Sequence, residues 1–143
     1  MVPKETTEAE LLKEALEIDD GQIKAEFIRL PADMAYWNAR YSDAILAHLR
    51  AKWAAETAEG ECYIAQRERL EAEGKVTEKK IESAVATDPM YVAARNAEIE
   101  AEAERARLRG VVEAIATKRD MLMSLGAYIR EEMRDPLIRD PRH

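Results

Sequence analysis

Residues 31–74 decide the fold, and they read PADMAYWNARYSDAILAHLRAKWAAETAEGECYIAQRERLEAEG. No proline follows Pro31 in this stretch, and residues that favour helices dominate it. Pro31 suits the first turn of a helix, and Gly74 suits the position just after a helix end. The sequence therefore predicts one helix over about residues 32–73, which would be roughly 60–70 Å long.

A second stretch of the same kind runs from Pro89 to about Arg134, again with no proline inside it. Asp88 is a good N-cap, and Pro89 suits the first helical position. A compact domain of this length is only about 30–35 Å across, so it cannot enclose either helix. We therefore predict an all-α fold, an elongated antiparallel hairpin of two long helices that buries its apolar stripe by self-assembly.

Two shorter helices complete the prediction. Thr7 and Glu10 have the spacing of a capping box, which predicts an acidic N-terminal helix over about residues 7–18. Thr77 is a plausible N-cap for a connecting helix over about residues 77–86. We expect a single all-helical domain over residues 1–143, with long helices at about 32–73 and 89–134 and a polar tail at 135–143.

The composition supports long helices rather than a thick globular core. Charged residues make up 36% of the chain, and it has only one phenylalanine and two tryptophans. The net charge of −7 argues against a general nucleic-acid-binding protein, although it allows a local basic stripe. The single cysteine and the lack of a long apolar run favour a cytoplasmic protein without a membrane partner.

The second long helix carries an apolar seam whose residues recur at steps of three and four, with Lys118 in the one polar slot. This 3.5-residue repeat predicts a coiled-coil-like contact, either between subunits or within the hairpin. The candidate oligomerisation residues are Leu108, Val111, Ile115, Leu122, Leu125 and Ile129.

Catalytic chemistry has little support in the sequence. His48 and His143 are the only histidines, and no glutamate stands one turn before His48 as a helical di-iron site would need. Cys62 has no base nearby in sequence, and we expect it to be a small buried thiol. The glutamates at 98, 100, 102 and 104 alternate along the chain, and alternate residues of a helix point to different sides, so they cannot form one metal site. We expect them to belong to a solvated face. We expect no enzyme activity, no metal and no cofactor.

Basic residues gather near the predicted connection between the long helices, where glutamates are interspersed among them. They could bind nucleic-acid phosphates or form a solvated tip, and they are Arg67, Arg69, Lys75, Lys79 and Lys80. The arginines at 105, 107 and 109 fan out around the second helix. The aromatic residues Tyr36, Trp37 and Tyr41 could stack bases, but their helical spacing favours a place in the core.

Two stretches of the chain resemble a known family. The run from Leu11 to Asp19, LLKEALEID, and the aromatic-rich run from Tyr36 to Tyr41, YWNARY, resemble UvsY, the recombination mediators of T-even-type bacteriophages. The order of the predicted elements is also similar. A Lys-x-Arg-Leu motif of that family contributes to single-stranded DNA binding, and the matching positions read Arg67-Glu68-Arg69-Leu70.

The resemblance implies a homo-oligomeric ring, a hexamer or heptamer, in the cytoplasm of a phage host. It implies a mediator that binds single-stranded DNA and helps load a RecA-like recombinase onto strands coated by single-strand-binding protein. Arg67 and Arg69 would then contact phosphates, with Lys75, Lys79 and Lys80 in support. The alternative is a non-enzymatic phage structural protein or assembly chaperone that acts through helical protein–protein contacts.

Overall fold

The computed structural model describes the backbone of residues 5–138 and the side chains of residues 5–134. It contains four helices, α1 (Glu8–Leu16), α2 (Ile23–Glu73), α3 (Glu78–Ala86) and α4 (Pro89–Ile138), and a 3-10 turn at Asp20–Gln22. No strand occurs within this part of the chain. The all-α class and the two long helices, of 51 and 50 residues, are thus confirmed.

Several helix ends differ from the prediction. The first long helix begins at Ile23, so the expected boundary near Pro31 is wrong. Pro31 removes one backbone hydrogen bond, but Glu26, Leu30 and Trp37 are buried around it and hold both sides of the helix against the core. α4 continues past Pro136 to Ile138, into the predicted tail, and residues 139–143, including His143, lie outside the described part.

The predicted helix caps are present. The side chain of Thr7 accepts from the Glu10 amide at 3.2 Å and the Glu10 carboxylate accepts from the Thr7 amide, which completes the capping box. α1 nevertheless ends at Leu16 rather than near residue 18, because Asp19 caps the following 3-10 turn instead. Thr77 caps α3, and Asp88 accepts from the Met90 amide at 3.0 Å at the start of α4.

The chain divides into two compact units, and α2 and α4 each contribute to both. The terminal unit comprises Met1–Ala39 and Arg109–His143, and the turn unit comprises Arg40–Leu108. The single domain over residues 1–143 stays a prediction.

Large side chains fill the core of the terminal unit. Trp37, Ile115 and Leu122 are the largest fully buried side chains, and Val111 and Leu30 are buried with them. Each buried side chain of this size stabilises the fold by roughly 1.5–3 kcal/mol. Phe27 of α2 lies beside Gly126 of α4, where an added Cβ would be 3.5 Å from the ring. Trp37 of α2 and Ile115 of α4 line a common cavity of about 50 Å³. Residues later in the sequence of α2 therefore lie near residues earlier in the sequence of α4, as in an antiparallel helix pair.

Small side chains fill the long seam of the turn unit. The buried residues of α2 recur at helical spacing there, and they are Ala44, Ala55, Ala58 and Cys62. Ile81 and Val85 of α3 pack with Cys62 into a separate cluster. Gln66, late in α2, donates to Asp88 at the start of α4 at 3.0 Å. Arg40, earlier in α2, lies near enough to Glu104, later in α4, to lower the pKa of that carboxyl group. The two helices are therefore antiparallel in this unit as well. Alanine at the buried positions allows close approach of the two backbones.

Candidate nucleic-acid interface

The turn between α2 and α3 positions the candidate lysines. Gly74 has a φ of 143°, in the region that favours glycine, and it ends α2. Thr77 then starts α3, because its hydroxyl accepts from the Lys80 amide at 3.3 Å. Lys75 thus lies in the turn, while Lys79 and Lys80 lie in the first turn of α3.

Two of the three lysines meet at a polar hollow of about 340 Å³. Lys75 and Lys80 line it together with Glu73, Val76 and Leu70, whereas Lys79 does not. All three lysine side chains are exposed. None of them forms an ion pair with any other residue that the structure describes. The turn therefore presents lysine charges that acidic neighbours have not already bound.

Arg67 and Arg69 are placed differently from the lysines. Arg67 Nε donates to Glu71 at 2.8 Å, while Arg69 Nε donates to Gln66 at 2.9 Å and lies 3.5 Å from Glu73. Residues two apart in a helix point to different sides, so the two arginines do not form one phosphate clamp. The hydrogen bond to Glu71 raises the pKa of Arg67, which keeps this guanidinium charged.

Glu78, the first residue of α3, connects that helix to α2. The Tyr63 hydroxyl donates to both carboxylate oxygens of Glu78, at 2.9 and 3.0 Å. This hydrogen bond raises the pKa of Tyr63, so the phenol stays protonated, whereas the nearby positive charge of Arg67 has the opposite, smaller effect on that pKa. The carboxylate of Glu78 thus has a hydrogen-bond partner within the chain, near the basic side chains of the turn.

A small network beneath the turn fixes α4 to α2. Asp88 accepts from Gln66 at 3.0 Å and from the Met90 amide, and these bonds lower the pKa of its carboxyl group. Burial raises the pKa of the Cys62 thiol, and the nearby Asp88 carboxylate adds to the effect. Cys62 is a buried thiol, as predicted, and it lies in the cluster that supports α3.

Two of the arginines of α4, Arg107 and Arg109, are paired with glutamates of the same helix. Arg107 makes two hydrogen bonds to Glu104, at 2.9 and 2.8 Å, which lower the pKa of Glu104. Arg109 lies 3.2 Å from Glu113. The expected solvated face of glutamates is correct for Glu100 and Glu102, but Glu98 is buried and paired with Arg95. Glu98 falls at a seam position between Ala94 and Ala101, and for this reason it turns inward.

The aromatic residues do not form a stacking surface. Trp37 is buried, as predicted, and Tyr41 is half-buried. Tyr36 is exposed, so its predicted place in the core is wrong. It contacts the edge of Trp37 with ring centroids 5.1 Å apart, because its position in α2 is adjacent to the buried stripe rather than on it.

The predicted α4 seam is covered within the single chain. Leu108, Val111, Ile115 and Leu122 are buried, whereas Leu125 and Ile129 are half-buried. The burial of the first four fits the hairpin alternative, whereas Leu125 and Ile129 keep part of their surface exposed. The intersubunit role of these residues stays a prediction.

Lys118 occupies the polar slot of that seam and is only 3% exposed. Its Nζ lies 2.5 Å from Glu26 Oε2 and donates to the Ala15 carbonyl at 2.8 Å. Arg29 donates to the adjacent Glu14 carbonyl at 2.7 Å. The two cations thus satisfy carbonyls at the C-terminal end of α1, where helices leave them without partners. The lysine in an apolar repeat was the sequence signal for this contact, but its partner could not be read from it.

His48 is half-buried in α2, and its Nδ1 has no hydrogen-bond partner among the described residues. No group of histidine, cysteine and carboxylate side chains that could hold a metal ion occurs in the part of the chain that the structure covers. Across residues 5–138, no helix combines the length and apolar character needed to cross a membrane.

Comparisons with protein-family models, curated proteins and solved structures found no match to this chain. The resemblance to the UvsY family therefore depends on the residues quoted above.

Proposed function

We propose that the chain is a non-enzymatic recombination mediator that binds single-stranded DNA as a homo-oligomer through its α2–α3 turn. Its role would be to help load a RecA-like recombinase onto strands coated by single-strand-binding protein. The observation that carries the proposal is the exposed set of Lys75, Lys79 and Lys80, which form no ion pair with the other described side chains and two of which share one hollow.

Lysines without acidic partners suit a sequence-independent contact with phosphates. Each neutralised phosphate releases counterions, which makes the binding dependent on salt. Three lysines give one subunit only weak affinity, especially in a chain of net charge −7. An oligomer presents the same turn several times on one strand, so its sites gain avidity without any new kind of contact.

Arg67 and Arg69 would have a secondary part in this binding. Their ion pairs with Glu71 and Glu73 are exposed, and exposed ion pairs contribute little to stability. A phosphate could replace these carboxylates at low cost. We therefore expect the lysines to contribute more to DNA affinity than the two arginines.

Fluorescence anisotropy with a labelled oligothymidine tests the proposal. Wild type should bind at low salt and release at high salt, with a slope of about −2 in log affinity against log salt if three phosphates are contacted per subunit. Lys75→Glu with Lys80→Glu should weaken binding about 10-fold or more, because repulsion replaces attraction. Arg67→Ala with Arg69→Ala should weaken it by less.

The matched control is Lys24→Glu with Arg119→Glu, which changes the net charge equally at exposed positions of the terminal unit. It should bind several-fold more tightly than the lysine variant. Equal losses in both variants would show a general charge effect and refute the turn as the DNA site. A wild type that does not retain the oligonucleotide at low salt would refute the function itself.

The second candidate function is a structural or assembly protein that binds other proteins. Exposed apolar side chains on α2, among them Leu49 and Trp53, favour it, as does the acidic net charge. A wild type that self-associates but retains no DNA would support this candidate over the mediator.

A further inference from the structure

The outer face of α2 in the turn unit carries a second apolar stripe, opposite the buried alanines. Its large members are Leu46, Leu49, Trp53 and Ile64, and Trp53 is 71% exposed. Thr57 and Gly60 continue the same stripe at steps of three and four. A repeat of this kind on an exposed helix face is typical of a helix that packs against another helix.

Gly60 lies inside α2, on the exposed apolar stripe. A glycine inside a helix costs about 1 kcal/mol relative to alanine. A Cβ at position 60 would meet nothing within 4 Å, so no close contact in the described chain requires the glycine. Its place on the apolar stripe is explained if a second helix approaches there.

Five charged side chains border the stripe, and none of them forms an ion pair with another described residue. Helix geometry places Arg50 and Glu61 on one edge and Lys52, Glu56 and Glu59 on the other. Arg50 with Glu61 and Lys52 with Glu59 make two oppositely charged pairs. The midpoint of each pair is the same, between residues 55 and 56. In an antiparallel pair of identical helices centred there, Arg50 meets Glu61 of the other copy and Lys52 meets Glu59, each twice.

The six positions of the stripe also pair with one another about nearly the same midpoint as the charged residues. Leu46 falls opposite Ile64, Leu49 opposite Gly60 and Trp53 opposite Thr57, so large residues meet smaller ones in two of the three layers. The paired segment of residues 46–64 is about 27 Å long. The charges of these two pairs and the side-chain volumes of two layers are thus self-complementary in the antiparallel sense, whereas Glu56 faces Glu56 of the other copy.

We propose that this face is the surface through which two copies of the chain associate, as an antiparallel helix pair with two-fold symmetry. The inference rests on the homo-oligomer of the proposed function and names its contact. A two-fold contact joins copies in pairs, so the complete oligomer has an even number of subunits, as a hexamer has and a heptamer does not.

Charge reversal tests the pairing. The acidic variant carries Arg50→Glu with Lys52→Glu, and the basic variant carries Glu59→Lys with Glu61→Arg. Each variant alone brings like charges together at all four contacts, and we expect its self-association to weaken at least about 10-fold. Mixed in equal amounts, the two restore all four ion pairs, and sedimentation equilibrium should show the association recovered.

Recovery on mixing supports the antiparallel register. If either variant alone associates as wild type does, or if mixing restores nothing, the inference is wrong. An odd number of subunits by native mass spectrometry, or a wild type that stays monomeric at about 100 µM, overturns it as well.

A single substitution provides an independent test. Trp53→Asp should weaken association, whereas the control Ile28→Asp should not, although Ile28 of the terminal unit is also 71% exposed. Equal effects of the two would contradict the assignment to this face. DNA binding is measured separately, so loss of DNA binding with intact pairing refutes only the mediator.

Discussion

The terminal unit and the turn unit are built from the same two helices but are packed in different ways. In the terminal unit, the large side chains of Trp37, Ile115 and Leu122 are fully buried, and a buried lysine donates to a third helix. In the turn unit, the buried positions of α2 are mostly alanine, and large apolar residues such as Trp53 lie outside. The first packing buries large side chains, whereas the second buries small ones, which permit close approach of the backbones, and leaves large apolar side chains exposed.

The largest expected effect is in the terminal unit. Lys118→Met removes the buried cation and leaves Glu26 and the Ala15 carbonyl without it, which should destabilise the chain by about 3 kcal/mol in urea unfolding. Adding Glu26→Leu should restore part of the loss, because the buried charge is then gone as well. Lys24→Met, at an exposed position, should change stability by less than about 0.5 kcal/mol. Equal effects of the two lysine substitutions would contradict the buried pair.

An intermediate effect is expected in the turn unit, where added volume rather than lost volume should be harmful. Ala55 is buried in the close seam, so Ala55→Leu should cost about 1–3 kcal/mol by forcing the helices apart. Ala47→Leu, an exposed position of the same helix, is the matched control and should be nearly neutral. If thermal unfolding shows Ala55→Leu to be as stable as the control, the alanine seam is not close-packed.

The smallest effect concerns the network at the start of α4. The pKa of Asp88 is lowered by the bonds from Gln66 and Met90, so its contribution is fully present above the ordinary carboxyl pKa. It should be lost as the pH falls through the lowered value. Thermal unfolding of wild type and Asp88→Asn between about pH 5 and pH 2 should therefore show a stability difference that vanishes in acid. A stability difference that stays constant with pH would show that the ionised Asp88 carboxylate does not stabilise the fold.

Much of the fold could be predicted, because the patterns that specify it are local. Helix type, the caps at Thr7, Thr77 and Asp88, and the buried Cys62 all follow from neighbouring residues. The start of α2 could not be predicted in this way, since tertiary packing around Pro31 outweighs the loss of one hydrogen bond. Glu98 and Tyr36 were misassigned because a helix face is solvated or buried only in relation to the partner it packs against.

The candidate site was predicted only in part. The sequence indicated five cations near one turn, but the structure separates them, with Lys75 and Lys80 at a common hollow and the two arginines paired to glutamates on different sides of α2. Spacing along the chain gives proximity, whereas the direction of each side chain depends on where the helix ends.

The sequence by itself determined that this chain forms two long helices, because propensity, capping and the positions of proline act within a few residues. Only the tertiary structure decided which stripe of each helix is covered. α2 has two apolar stripes of similar spacing, and a single α4 can cover just one of them. The alanine stripe permits the closer approach of the helices and is buried, so the stripe with Trp53 remains outside.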